Sequence, residues 1–468
     1  MCGFSAVFAW YYPPVPSIED EVGFINQALV WSRGSLSAEG AGWPDLADFA
    51  PVGGRHVGTR HPGRSLVAVP FLAIGGGRAV FASGLMLHLL GTALAGGLLV
   101  RLGRSPLWAA LVLFHPTLAI YSRTVMADGA AGAALLLAAW ATTVAGARGA
   151  VWAGLATGLA ALMRYHAALA LPIIAGSIGF ERDRARPRRD AWLCLLAGCA
   201  VGVSIVAYNL VAFQSPFGLV KERGFFSLNF LIPNGLFYAG SLMIVWPGLL
   251  LAPLFDRSPI RWLVRGVTGF FLLFFSLYYF HDQAPRWLET AIVGQRLLQV
   301  ALPLWIVSYA GVLDDRIVAP SRRRLPRAVL PALVALGCLG LLALNGLAFA
   351  RHQRHLGELR EARDALAANV PEGSLVVYRG SVPKLVGVPL GVPSYRLRRL
   401  EFQGKPSEEP GVLFHDLDSA AAPWYLADLG KSPGEPLSDY ARSVIARYRL
   451  EPVPVSSSVL SIFVRRAP

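Results

Sequence analysis

The chain has 468 residues, of which 54% are hydrophobic and only 15% charged. Soluble domains carry roughly 25% charged residues, so this composition cannot build a solvated surface, and its long apolar blocks mark a polytopic α-helical membrane protein. The net charge of +14 does not point to nucleic acid, because the basic residues cluster between apolar blocks, where they act as orientation signals and lipid-headgroup contacts.

The first apolar segment, Cys2–Tyr12, falls short of the ~20 residues a helical span needs. It has no basic n-region and no small-residue cleavage site, so it does not resemble a signal peptide. The expectation is a first helix that starts upstream of the given Met1. Further spans are expected near 78–100, 106–121, 129–147, 150–163, 167–180, 191–213, 236–255, 263–280, 299–313 and 328–350. With the first segment they make about eleven, give or take one or two. Cys2, Cys194, Cys199 and Cys338 all lie in apolar blocks and act as small hydrophobes, with no case for a disulfide or zinc site.

Alternate connections carry the arginines: Arg101 and Arg104, Arg148, then Arg182 to Arg189, Arg257 to Arg265, and Arg316 to Arg327. Positive charge is retained on the cytoplasmic side, which places the loop 13–77, the 122–128 turn, the stretches 214–235 and 281–298 and the tail outside. The tail, 351–468, changes character. A charged helix over His352–Asn369 is followed by strand-like runs at Ser374–Tyr378, Gly411–His415 and Val459–Val464, separated by Pro and Gly. The expectation is a small extracytoplasmic α/β domain after a membrane domain spanning 1–350.

The outer loop 13–77 holds the densest chemistry. Glu19-Asp20-Glu21 opens a helical pattern, and three carboxylates there suit the helix dipole as an acidic cap. The same cluster leaves the first span at the membrane edge, where acids are costly unless used or paired. Downstream lie Arg55-His56 and Arg60-His61-Pro62-Gly63-Arg64, either a headgroup-facing loop or a phosphate site. Other polar groups sit at outer ends of spans: Tyr121-Ser122-Arg123, Asp128, Arg164-Tyr165-His166, Lys221-Glu222-Arg223, His281, Asp282, Arg286 and Arg296. Each is an interfacial anchor or a functional candidate. Their gathering on one side favours an outward-opening cavity.

Taken in order, these residues resemble the GT-C superfamily of membrane glycosyltransferases, in particular the bacterial group similar to protein O-mannosyltransferases (glycosyltransferase family 39) and the aminoarabinose transferase of lipid A. Asp20-Glu21 fits the family's acidic motif after the first span. His61-Pro62-Gly63-Arg64 resembles its His-Pro-Pro-Gly segment with one proline missing. Tyr121-Ser122-Arg123 with Asp128 looks like its second outer loop. Gly154–Ala160 with Arg164 resembles its Gly-Leu-Ala helix ending in Arg. Tyr208-Asn209 with Ser215-Pro216-Phe217-Gly218 is similar to its Asn and Gly-Ser-Pro segment, with Gln214 in place of the usual Gly. Gln295-Arg296 with Leu302-Pro303 resembles its Arg-Tyr-Leu and Leu-Pro segment. The likeness covers residues 1 to about 350 and leaves the tail out.

That resemblance implies an enzyme of the bacterial cytoplasmic membrane that moves a sugar from a polyprenyl-phosphate donor to a lipid, glycan or protein acceptor of the cell envelope, without a nucleotide cofactor. Asp20 would be the general base, Glu21 its orienting neighbour and Asp128 a second catalytic carboxylate. Arg64, Arg123, Arg164, Arg286 and Arg296 would bind the donor phosphate, and His61 and His166 the substrate. Whether a divalent metal joins these carboxylates is left open. The alternatives are a transporter or flippase for a lipid-linked precursor and a non-catalytic envelope-assembly protein. A transporter places charges near the bilayer midplane and often shows inverted repeats; here the charges gather at outer ends and no repeat is evident.

Overall fold

The structure is a computed structural model, described for residues 1–38, 48–181, 184–218, 226–278, 286–318, 329–386, 395–402, 405–406, 410–419, 423–430 and 436–465. Lys221, Glu222, Arg223, His281 and Asp282 lie outside the described residues. In chain order the helices are α1 (Cys2–Trp10), α2 (Glu19–Ser32), α3 (Pro62–Ala79), α4 (Ala82–Arg101), α5 (Ala110–Leu113), α6 (Pro116–Tyr121), α7 (Asp128–Thr142), α8 (Gly146–Met163), α9 (Ala170–Gly179) and α10 (Pro187–Phe213). They continue as α11 (Leu231–Val245), α12 (Ala252–Phe255), α13 (Arg261–Ser276), α14 (Trp287–Val293), α15 (Leu302–Leu313), α16 (Val329–Asn369), α17 (Pro410–Ser419) and α18 (Asp439–Tyr448).

Four described helical segments are long and apolar enough to cross a membrane: Ala82–Arg101, Pro187–Phe213, Leu228–Val245 and Ala335–Asn369. A fifth results if Trp287–Val300 and Leu302–Arg316, bent by 99°, form one broken span. The expected eleven are therefore not reached by helix length and composition. The segment 106–121 breaks at His115-Pro116 into short pieces, since proline removes a backbone donor and blocks the preceding turn. The segments 150–163 and 167–180 break at Arg164, which takes an extended backbone (φ −146°, ψ 111°).

The chain forms two compact units. The first comprises Met1–Tyr12, His61–Val67 and Phe81–Ala350. Its centre is α7, whose Ala130, Ala131, Leu135, Leu136, Ala138 and Ala139 are all buried. Small side chains on α7 and α8 let backbones approach closely, which is how helices associate where water supplies no drive. Ala150 and Ala153 of α8, Leu298, and Trp305 and Ile306 of α15 complete the same core.

The second unit comprises Pro13–Arg60, Ala68–Val80 and Arg351–Pro468, so the outer loop and the tail belong to one body. Strands β1 (Ser37–Ala38), β2 (Phe49–Val52) and β3 (Arg55–Gly58) make a small antiparallel sheet in the loop. In the tail, β4 (Leu375–Arg379), β5 (Arg396–Arg399), β6 (Trp424–Leu429), β7 (Glu451–Val453) and β8 (Leu460–Arg465) form a five-stranded sheet in the order β5-β4-β6-β8-β7. Strand β4 pairs in parallel with β5 and β6, while β8 pairs antiparallel with β6 and β7. Both faces are covered. Val376 and Tyr378 pack with Leu356, Leu359 and Val15, and Leu375 and Val377 pack with Leu413, Leu417 and Val444. That double burial explains the continuous apolar runs of β4 and β6.

Two expectations for the tail are corrected. Gly411–His415 is not a strand but part of α17. The expected span 328–350 and the expected helix His352–Asn369 are one 41-residue helix, α16. The strands expected at 374–378 and 459–464 are present as β4 and β8.

Candidate active site

In the second unit the candidate residues are set out by a hairpin. Val52 pairs with Arg55 across Gly53 and Gly54, whose φ values of 56° and 79° suit a tight turn that only glycine adopts freely. The register then pairs Phe49 with Gly58 and brings Asp48 beside Thr59, which donates its backbone N–H to the Asp48 carbonyl at 2.8 Å. Arg60 follows. Its Nε donates to Asp48 Oδ2 at 3.0 Å and its Nη2 to Asp20 Oδ1 at 2.8 Å. Burial works against the Arg60 charge, but the carboxylates of Asp48 and Asp20 outweigh it and hold the guanidinium more firmly protonated than usual. The Asp20 side chain keeps 27% of its surface exposed.

Glu21 is placed differently from Asp20. It is fully buried, and its Oε1 accepts from Ser17 N at 2.9 Å, Ser17 Oγ at 2.8 Å and Ile18 N at 3.0 Å. It closes the helix start from the third helical position, accepting the N–H of the N-cap residue Ile18, which is the acidic half of a capping box. Its effect on Asp20 is therefore to fix the helix start from which Asp20 projects. Glu19, the first carboxylate of the cluster, pairs with Arg399.

In the first unit the His61–Arg64 segment and the 121–128 turn lock together. The His61 ring lies on Tyr165, centroids 4.2 Å apart. Gly63 abuts the backbone of Leu162, where a Cβ would come within 2.8 Å. Arg64, fully buried, donates Nε to the Met126 carbonyl at 3.1 Å and Nη2 to Ser83 Oγ at 2.8 Å. Arg123, 1% exposed, donates to the carbonyls of Phe349 at 3.3 Å and Tyr11 at 2.5 Å and lies over the Phe349 ring. Tyr121 donates its hydroxyl to the Val293 carbonyl at 2.9 Å.

The turn ends at Asp128, which is fully buried and starts α7. Arg164 meets it side-on, Nε to Oδ1 at 2.8 Å and Nη2 to Oδ2 at 3.1 Å. Arg164 can do so because α8 ends there in extended backbone. The neighbouring Tyr165 donates its hydroxyl to Asn209 Oδ1 at 3.2 Å, and Asn209 Nδ2 donates to the Pro216 carbonyl at 3.1 Å.

Of the expected site residues, the structure brings Asp128 and Arg164 into one pair, with His61 on the adjacent Tyr165. Arg64 and Arg123 are buried and donate to backbone carbonyls and, for Arg64, to the Ser83 hydroxyl, which satisfies irregular backbone at Met126 and Tyr11. The His166 ring sits among Phe271, Phe274 and Phe275, with centroids 5.1–6.2 Å apart. Arg296 is 7% exposed in the turn before α15. Arg286 is 68% exposed, 3.9 Å from Glu289.

Sequence reasoning gave Arg60 no partner and missed Asp48 and the Tyr165–Asn209 link. The Gly53-Gly54 turn was the available signal for the first two. Among the described residues no group of three or more His, Cys, Asp or Glu is arranged to hold a metal ion. Both oxygens of Asp128 face Arg164, and Asp20 faces Arg60, so these carboxylates are matched to cations of the chain itself.

Solved structures show which fold this is. Crystal structures of ArnT from Cupriavidus metallidurans, one in the apo state and one bound to undecaprenyl phosphate, share that fold with the chain. Each matches with a TM-score of 0.61 and 14% identity, over 99% of this chain and 97% of the other. At that identity the likeness establishes the fold. No family model and no curated protein matches the sequence.

Proposed function

We propose that the protein is a membrane glycosyltransferase that moves a sugar from a polyprenyl-phosphate donor to an acceptor on the outer face of the bacterial cytoplasmic membrane. The observation that carries this is the near-complete fold match to a structure bound to undecaprenyl phosphate, together with a partly exposed carboxylate, Asp20, fixed at a capped helix start.

Asp20 takes the proton from the acceptor hydroxyl. The oxygen attacks the anomeric carbon as the bond from that carbon to the lipid-phosphate oxygen breaks, and the configuration inverts. The leaving phosphate gains charge, so a nearby cation lowers the barrier. Arg164, Arg286 and Arg296 are the candidates, because Arg64 and Arg123 are turned to carbonyls. Arg60 holds Asp20 in place, and Glu21 holds the helix start from which Asp20 projects. The arginine-rich loops lie on the cytoplasmic side, as the charge bias requires, and the C-terminal domain lies outside.

The experiment is transfer by the full-length protein in lipid nanodiscs. Undecaprenyl-phosphate-linked hexoses and pentoses are supplied one at a time with an envelope extract as acceptor, and released undecaprenyl phosphate is measured. Release that requires both donor and extract supports the proposal. A protein that binds none of the donors and releases no carrier contradicts it.

A further inference from the structure

We infer that Arg399, in the C-terminal sheet, is a positioning residue for Asp20; this rests on reading Asp20 as the base. The first turn of α2 carries Glu19, Asp20 and Glu21, and successive residues on a helix point about 100° apart. The structure gives each carboxylate its own anchor. Glu21 turns back to Ser17 and Ile18. Asp20 meets Arg60 of the hairpin. Glu19 meets Arg399, a residue 380 positions further along the chain.

Arg399 is itself held. Its Nε donates to the Tyr378 hydroxyl at 3.1 Å, and its guanidinium lies 5.5 Å from the centre of the Tyr378 ring. Tyr378 is on β4, which is paired on both sides, and its ring belongs to the buried core with Val376, Leu366 and Val15. Burial pushes the Tyr378 hydroxyl up to about 12, so it remains a neutral phenol. Burial also raises the Glu19 carboxyl, with Arg399 acting against that rise. The turn Val382–Lys384 packs on α2 as well.

Thus β4 and β5 fix Tyr378, Tyr378 orients Arg399, and Arg399 fixes the residue adjacent to Asp20. Arg399 adds to the anchors that Arg60 and Glu21 give this turn, and it is the one that ties the turn to the tail sheet. A misplacement of about 1 Å at a reacting group is enough to cost on the order of a hundredfold in rate. The tail sheet then has a task in the reaction beyond any contact with acceptor.

The test uses full-length protein in nanodiscs with the undecaprenyl-phosphate-linked sugar that supports transfer, and undecaprenyl phosphate itself as binding probe. Four variants are compared: Asp20→Asn, Arg399→Met, Glu19→Gln, and the exchanged pair Glu19→Arg with Arg399→Glu. The expected result is a kcat for Arg399→Met lower by about 10- to 100-fold. Donor KM and undecaprenyl phosphate affinity stay within about twofold. Glu19→Gln, which removes one charge and almost no volume, lowers kcat in the same direction. The exchanged pair recovers at least part of the loss, which general loss of packing would not do. Wild-type kcat in both single variants overturns the inference, as does an exchanged pair no better than Arg399→Met. If Arg399→Met does not fold, Glu19→Gln decides. Full transfer by Asp20→Asn overturns instead the assignment of the base.

Discussion

Arg164 meets Asp128 with both planes aligned, Nε to Oδ1 at 2.8 Å and Nη2 to Oδ2 at 3.1 Å, and the carboxylate is wholly buried. Such a pair balances two desolvation costs against one strong, geometrically specific contact. Losing one partner strands the other. Arg164→Met is therefore expected to destabilise the protein by about 3–5 kcal/mol, and the double variant Asp128→Val with Arg164→Met to recover most of that loss. Denaturant titration in detergent checks both. If Arg164 also meets donor phosphate, the double variant is folded yet weak in undecaprenyl phosphate binding.

Arg64 and Arg123 give the opposite pattern. Arg123→Ala removes the donor to the Tyr11 carbonyl, at about 1–3 kcal/mol for a buried acceptor left without one. Undecaprenyl phosphate affinity of the folded fraction is expected to stay at the wild-type value. A folded Arg123→Ala protein with much weaker lipid binding would restore the phosphate-binding role.

The cap that Glu21 makes at the start of α2 separates two adjacent carboxylates. Glu21→Gln keeps an acceptor for Ser17 and Ile18, and glutamine also serves at this position. It is expected to retain most stability and transfer. Glu21→Ala loses the cap and about 0.5–2 kcal/mol. Thermal unfolding and initial rates, measured side by side, distinguish this from a catalytic role, in which Gln and Ala would be equally inactive at unchanged stability.

Gly63→Ala forces a methyl group against the Leu162 backbone, where the ideal position lies 2.8 Å away. Over-packing of this kind costs about 1–3 kcal/mol. Because the same segment places His61 on Tyr165, transfer is expected to fall with stability, measured by unfolding and rate on one preparation.

The membrane character was legible from block composition, and a fold like that of ArnT from the order of weak motifs around Asp20, His61, Asp128 and Arg164. Span count was less so. Hydropathy sees apolar residues but not a break at His115-Pro116 or at Arg164. In the tail, Val412-Leu413-Phe414 reads equally as strand or helix, because a short apolar run has no decisive period. The structure uses Leu413 and Leu417, one helical turn apart, on the buried face of α17. Strand β5 was hidden by its arginines, which leave Leu397 as the one apolar residue in Arg396–Arg399. Arg64, Arg123 and Arg164 look alike in sequence, and only burial and the identity of their acceptors separate staples from a cation paired with a carboxylate.

The measurement that bears most directly on Asp20 as base is sugar transfer by Asp20→Asn in full-length protein reconstituted with an undecaprenyl-phosphate-linked donor. The prediction is a rate lower by about 10²- to 10⁴-fold with undecaprenyl phosphate binding intact. Transfer at the wild-type rate would contradict it.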